Sequence, residues 1–287
     1  GHAMVAEAMR REARGRASAL LQSGEPVGVA LAALVGYLVA PAVGWRAVMI
    51  GSSATALVAV LARRSMHLSD EKVAARPKLN RVQIASISSR LVRAWILGVF
   101  KLGTYWTCYT WLPSFLIKEM HQGVGKSVAW MLSAQAGQLC GMLVFGQVAD
   151  RVGRRPAFAA FSLITAAAIA PLAFRWHDLS AHPALFWAAM TSLGFGSGCT
   201  AGFGALLAEL FPTEVRAFAM GTTYNCARAA QLLAPVVVSY AVGTAGLAGG
   251  LSVPLVLALL TASWVWTLPE TRGIELPAME PRKVLTS

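Results

Sequence analysis

Glu25 and Arg228 each stand within a long stretch otherwise poor in charge, and these two residues offer the most pointed chemistry in the chain. A charge in a hydrocarbon interior costs roughly 3 kcal/mol or more unless it is paired or hydrated. A guanidinium presents a planar fork of donors that matches a carboxylate, so Arg228 is the candidate for binding an anion. A carboxyl group in a poorly hydrated cavity can load a proton on one side and release it on the other, which makes Glu25 the candidate for proton coupling. Tyr224 and Gln231 lie at i−4 and i+3 from Arg228 and share its helix face. With Gln22, Gln135 and Gln138 they could supply neutral hydrogen bonds around a substrate. Lys101 is a third interior cation, placed nearer a span end, where its stem could either reach a substrate or snorkel to the membrane surface. Glu25 and Arg228 also admit a purely structural reading as an ion pair, and Trp106, Tyr109 and Trp111 can be cavity walls or interfacial anchors.

These residues need membrane helices to position them. A helix crossing ~30 Å of hydrocarbon takes roughly 20 residues with few charges. Uncharged runs cover Pro26 to Trp45, Ala47 to Ala62, Val128 to Ala149, Pro156 to Phe174 and Leu179 to Ala208, while Ala94 to Ile117 is broken by Lys101 alone. Two more spans share Ala217 to Thr267, divided by GTAGLAGG from Gly243 to Gly250. Eight spans are therefore expected, all helical because a helix satisfies its own backbone in lipid. A composition of 56% hydrophobic and 13% charged residues agrees. Glu25 and Arg228 fall about ten residues into their spans, roughly 15 Å at the helical rise, near the midplane.

The net charge of +12 is distributed as topology rather than as a nucleic-acid footprint. Most of it sits in alternate loops: Arg10, Arg11, Arg14 and Arg16, the connector from Arg63 to Arg93, Arg151, Arg154, Arg155, Arg216, Arg272, Arg282 and Lys283. The opposite loops hold Arg46, Lys118, Lys126 and Arg175. The positive-inside rule then places both chain ends in the cytoplasm of a multi-pass inner-membrane protein. The bilayer is the expected partner, with anionic lipid as a minor corollary. Cys108, Cys140, Cys199 and Cys226 all fall inside spans and read as packing residues, not as a disulfide framework or metal site. His67, His121, His177 and His182 lack ligand spacing, and no nucleophile motif or phosphate loop supports an enzyme.

An internal repeat at an offset of 202 places Glu7 and Arg14 on Glu209 and Arg216, each pair leading into an apolar span. If the second half begins near Ala94, about 108 residues, or four spans, would precede Gly1. The expected organisation is then the end of an N-terminal bundle over 1–62, a cytoplasmic central loop over 63–93, a C-terminal six-helix bundle over 94–267 and a cytoplasmic tail over 268–287.

The loop Gly146 to Arg155, GQVADRVGRR, resembles the signature loop of the major facilitator superfamily of transporters. The segment Glu209 to Pro235 resembles the tenth-to-eleventh span junction of organic-acid and sugar symporters in that superfamily. LPETRG at Leu268 to Gly273, and Arg14, Gly15 and Gln22, are similar to sugar-porter patterns, whereas GEPVG matches the drug-antiporter motif only loosely. The resemblance implies an all-α major facilitator fold with about eight of twelve spans present. It implies a secondary transporter without a cofactor, a monomer driven by the proton gradient through alternating access. Proton symport of a small organic anion is the leading expectation, with a sugar or polyol porter and a transport-inactive truncated carrier as the others.

The signature loop also has its own physical logic. Gly146 allows close helix approach, Asp150 can cap the positive end of a neighbouring helix and Gly153 permits a tight turn. Arg151, Arg154 and Arg155 can pair with Glu209 or Glu214, with Arg216 nearby, forming a latch that breaks when the carrier opens inward. Topological anchoring is the plainer role for the same arginines.

Overall fold

A computed structural model describes residues 13–65, 81–120 and 124–274. Glu7, the central part of the connector, His67, His121 and the tail with Arg282 and Lys283 lie outside the described residues. Among the described residues all regular structure is helical. The helices are α1 (Arg14–Gln22), α2 (Gly24–Leu38), α3 (Ala40–Val43), α4 (Trp45–Ser52) and α5 (Thr55–Ser65). They continue with α6 (Arg81–Met120), α7 (Val124–Val152), α8 (Arg154–Phe174), α9 (Trp176–Ala181) and α10 (Pro183–Ser197). The last are α11 (Thr200–Leu210), α12 (Thr213–Ala230) and α13 (Ala234–Trp264).

Six stretches among the described residues are long and apolar enough to cross a membrane: Gly15–Leu38, Gly125–Val152, Arg154–Phe174, Pro183–Leu210, Thr213–Gly246 and Ala248–Thr267. Two of the eight expected spans depart from this standard, each for a physical reason. The run Ala47 to Ala62 breaks into α4 and α5, which at 8 and 11 residues are too short to cross separately. At that break the hydroxyls of Ser52, Ser53 and Thr55 bond the carbonyls of Met49, Ile50 and Ser52 at 2.7, 2.6 and 2.8 Å, local bonds that compete with helix continuation. The run Ala94 to Ile117 belongs to α6, a single helix of 40 residues whose hydropathy is diluted by Lys101, Thr104, Tyr105 and Thr107. All four of those side chains are buried, so α6 turns its polar face towards the protein. The helix also begins inside the stretch expected to be connector, at Arg81.

The first span starts at Gly15, which puts Glu25 ten residues into it, and is broken at Ser23. Pro26 has no N–H to offer the carbonyl of Gln22, which ends α1 there and opens α2. Within α13 the chain leaves helical geometry at Ala245 and Gly246, inside the Gly/Ala stretch where the last two spans divide. Gly246 sits at φ 58°, and Gly250 packs back against Val242, so the chain doubles on itself there.

Lipid tails are as apolar as leucine, so helices in a membrane associate through close packing rather than through exclusion of water. The central pair, α7 and α10, shows how close. Gly137 and Gly141 of α7 lie on the backbone of Thr191 and Phe195, while Gly194 of α10 lies on Ala134, and Gly198 at its end on Gly141. The glycine spacing of four on both helices makes the contact reciprocal. On its other side Gly196 fits against Thr165 and Phe161 of α8. Phe145, Phe158, Phe203 and Phe211 fill the adjoining core, and every residue of α11 is buried. Helix α1 joins this core through Ala19, and Ser18 donates to the carbonyl of Ala201 at 2.6 Å.

A Cβ at Gly194 would overlap the Ala134 carbonyl, whereas Gly28 meets nothing within 4 Å. Gly194→Ala is therefore expected to destabilise the protein by about 1–3 kcal/mol, and Gly28→Ala to leave it unchanged or slightly more stable. Thermal unfolding followed by tryptophan emission separates the two; equal midpoints would contradict the packing account.

Candidate functional site

The signature loop forms the densest polar structure among the described residues. Helix α7 ends at Val152 and α8 begins at Arg154, and the turn between them is possible because Gly153 adopts φ 121°. A side chain there would also strike the carboxylate of Glu270, whose Oε2 lies 2.9 Å from the Cβ position. Arg154, 1% exposed, donates through Nε and Nη2 to the two oxygens of Glu209 at 3.1 and 2.8 Å. Its Nη1 donates to Asp150 Oδ1 at 2.7 Å. One guanidinium thus holds two carboxylates from different helices, in the forked geometry that suits it.

Asp150 is shared in turn. Its oxygens accept the backbone N–H groups of Gly15 and Arg16, both at 3.1 Å, so it caps the start of α1, where unpaired N–H groups and the helix dipole favour an anion. The Arg16 guanidinium adds a looser contact at 3.7 Å. Gly146 brings α7 against the same turn, its Cβ position 3.0 Å from Ala19. Arg151 is exposed. Arg155 reaches the carbonyl of Trp266 at 3.2 Å, and Arg216 is buried at the α11–α12 junction, donating to Ala208 O and Thr213 Oγ1.

Two members of this cluster were not among the residues singled out from sequence. Glu270 accepts the first backbone N–H groups of α8, from Arg154 at 2.8 Å and Arg155 at 3.0 Å, and also those of Thr271 and Arg272, each at 3.0 Å. The Thr271 hydroxyl donates to Glu209 at 2.7 Å. Both residues belong to LPETRG, a motif visible in the sequence, but its partner helix start is remote in the chain and carries no sequence signal. Partial burial pushes the Glu270 carboxyl up, and the backbone donors of Arg154, Arg155, Arg272 and Thr271 more than offset this, leaving its pKa below the ordinary value.

The interior residues form a second polar layer. Gln22 donates to Glu25 at 2.6 Å. Tyr105, Tyr109 and Tyr224 lie near enough to Glu25 to feel its charge, and Tyr224 also feels Arg228. The two opposite charges therefore face the same tyrosine from different helices. Gln135 and Gln138 are buried on α7; neither amide atom of Gln135 has a hydrogen-bond partner, nor does the Thr107 hydroxyl of α6, while Gln138 lies by Tyr105 and Tyr109 by Ser197. Buried polar groups without partners are rare and point to water or a ligand. Lys101 is 3% exposed, on the inward face of α6, so it does not snorkel to a lipid surface. Arg228 is exposed at the end of α12, just before a short 3-10 turn, and lines a cavity of about 260 Å³ with Trp106, Thr107, Thr110, Trp111, Gln231, Ala234 and Pro235. Trp106 and Trp111 are thus cavity walls. Gln231 folds back on its own helix, donating to Ala227 O at 3.2 Å, with its carbonyl oxygen unpaired.

The comparisons with known proteins show the family. The chain matches the Major Facilitator Superfamily over residues 1–137 and 124–287, and it belongs to that superfamily. A Haemophilus influenzae protein named as a metabolite transport protein is 33% identical over 254 residues, 83% of this chain and 61% of its own length. A Cupriavidus pinatubonensis protein named for 4-methylmuconolactone transport is 30% identical over 292 residues, covering 96% of this chain and 66% of its own. The cis,cis-muconate transport protein of Acinetobacter baylyi is 26% identical over 275 residues, 91% of this chain and 64% of its own. The chain spans roughly three fifths to two thirds of the length of these relatives.

Because the Glu270 carboxyl is easier to ionise folded than unfolded, it contributes stability above the ordinary carboxylate range, near pH 4.3, and loses it as pH falls through its lower folded value. Unfolding midpoints of the wild type and Glu270→Gln, measured from pH 7 down to pH 3, should differ most at neutral pH and converge on acidification. A constant gap across that range would show that the charge of Glu270 is not what matters.

Proposed function

We propose that this chain carries the substrate and proton sites of a secondary active transporter for a small organic anion, working by proton symport and alternating access. The observation that carries the reading is the setting of Arg228: an exposed guanidinium on a cavity whose lining holds no carboxylate. Such a cation is an open half of an ion pair, and a substrate carboxylate completes it with two parallel hydrogen bonds. Trp106 and Trp111 supply flat apolar walls, suited to the unsaturated body of such an acid. Relatives named for muconate and methylmuconolactone transport are consistent with this class.

Glu25 takes the proton. It is half-buried, held by Gln22 and close to Tyr105 and Tyr224, so its charge state changes the field in the same space that Arg228 faces. Binding the anion and the proton together keeps the cost of moving charge across the membrane low. Lys101, Gln135 and Gln138 border the substrate path on the inward faces of α6 and α7, with Tyr224 and Gln231 on and beside α12. The cluster around Arg154 acts as the gate on the other layer. Its bonds between α1, α7, α11 and the segment after α13 must loosen for the cavity to open on that face. By the positive-inside rule that face is cytoplasmic. The sugar-porter reading needs the Gln22 amide for a sugar hydroxyl, and here that amide donates to Glu25.

Two measurements test these roles. Arg228→Gln should weaken equilibrium binding of an unsaturated dicarboxylate such as muconate at least tenfold, on the order of the 1.5–3 kcal/mol of a charge-assisted bond, while leaving neutral sugars without effect. In proteoliposomes, Glu25→Gln should abolish accumulation driven by a pH gradient and preserve counterflow exchange. Wild-type binding of sugars in place of acids would reject the anion reading, and intact pH-driven accumulation in Glu25→Gln would remove Glu25 from coupling.

A further inference from the structure

Beside the gate lies a second cavity, of about 510 Å³, lined by Arg16, Gln147, Asp150 and Arg151. Its chemistry differs from that of the interior site. The Arg16 side chain is 60% exposed, and the exposed Arg151 approaches from α7. The single carboxylate in the lining, Asp150, is already engaged by Arg154 and by the backbone at Gly15 and Arg16, and it meets the Arg16 guanidinium only at 3.7 Å. Two guanidinium groups therefore border one polar hollow with one shared carboxylate, already held by Arg154, between them, and Gln147 adds a neutral amide to the lining.

The surfaces below this hollow are apolar and uncovered among the described residues. On α7, Arg151 and Gln147 are followed along the same face by Leu143 and Cys140, at the four- and three-residue spacings that stack side chains. Leu143 is 45% exposed and Val144 beside it 39%. On α1, Leu20 follows Arg16 at the same spacing and is 70% exposed. Both helices thus run from cation to hydrocarbon in the same direction away from the loop, over roughly 12 Å of α7 from Arg151 to Leu143. A soluble anion would use the arginines and leave the apolar stripes unmatched; a molecule with an anionic head and hydrocarbon tails matches both.

We propose that this cavity is a binding site for the headgroup of an anionic phospholipid, with the phosphate between Arg16 and Arg151 and the acyl chains along Leu20, Leu143 and Val144. Arg16 sits on α1 and Arg151 on α7, the two helices joined by the Asp150 cap, so the lipid would bridge the same joint from outside. This does not depend on what the interior cavity carries.

The test is lipid selectivity of the purified chain in dodecylmaltoside, read as phosphatidylglycerol and phosphatidylcholine adducts by native mass spectrometry. With about a fivefold effect per arginine near a headgroup, the wild type should prefer phosphatidylglycerol at least tenfold. Arg16→Gln with Arg151→Gln should remove the preference, Arg151→Gln alone should reduce it about fivefold, and Arg16→Lys with Arg151→Lys should keep most of it. Arg90→Gln with Arg272→Gln, two exposed cations elsewhere, should change nothing. Equal binding of the two lipids by the wild type would overturn the proposal. So would an equal loss in the Arg90/Arg272 variant, which would mean diffuse charge attraction, or displacement of the lipid by millimolar inorganic phosphate, which would mean a soluble-anion site.

Discussion

A guanidinium that is 1% exposed must have its charge met in place, and the rest of the loop-face structure follows from how Arg154 is met. Removing a charged group from water costs several kcal/mol, and only close, well-oriented carboxylates offset it. Asp150 and Glu209 fill that need, each with an oxygen within 2.8 Å of a terminal guanidinium nitrogen. Once those two are fixed, their remaining lone pairs fix others. Asp150 holds the first N–H groups of α1, and Glu209 holds the Thr271 hydroxyl. Glu270, next in the chain, then falls on the N–H groups that open α8. Four parts of the chain remote in sequence are registered by one buried cation. A buried ion cluster of this kind contributes more to specifying one arrangement than to net stability.

That register reaches the interior through the helices themselves. Helix α7 carries Asp150 at one end and Gln135 and Gln138 in its middle; α1, capped by Asp150, runs into α2 and Glu25. The glycine contacts between α7 and α10 leave no slack for α7 to shift alone. On the proposed function, loosening the Asp150–Arg154–Glu209 bonds would free α1 to move relative to α7, with Glu25 following through the break at Ser23. Tight packing makes such a joint switch between arrangements rather than bend. On that proposal, this joint would couple the loop face to Glu25.

Much of this was readable in the sequence, because the relevant signals are local. The Gly/Ala stretch from Gly243 to Gly250 marks the turn between the last two spans, and Gly146, Asp150 and Gly153 carry their roles in their residue types and spacing. What stayed hidden depends on partners far away in the chain. Nothing near Glu270 announces that it caps α8, and Gln135 shows itself as unpartnered only once α6 has been packed against α7. Polar side chains have structural uses in two of the expected spans that apolar length does not register: the hydroxyls that break α4 from α5, and the buried polar face of α6. Pro26 was a local signal that ends α1 at Gln22.

The most direct test of the Arg154 account is a double-mutant cycle on unfolding stability with Arg154→Met, Glu209→Gln and the pair combined. Arg154→Met leaves the carboxylates of Asp150 and Glu209 without their buried cation, Glu209→Gln leaves Arg154 with Asp150 alone, and breaking such a buried pair costs about 3–5 kcal/mol. The account predicts that the double variant is much less destabilised than the sum of the singles, with a coupling energy of at least about 1 kcal/mol. Additive losses, or a near-neutral Arg154→Met, would contradict the claim that this one cation sets the register of the helices around it.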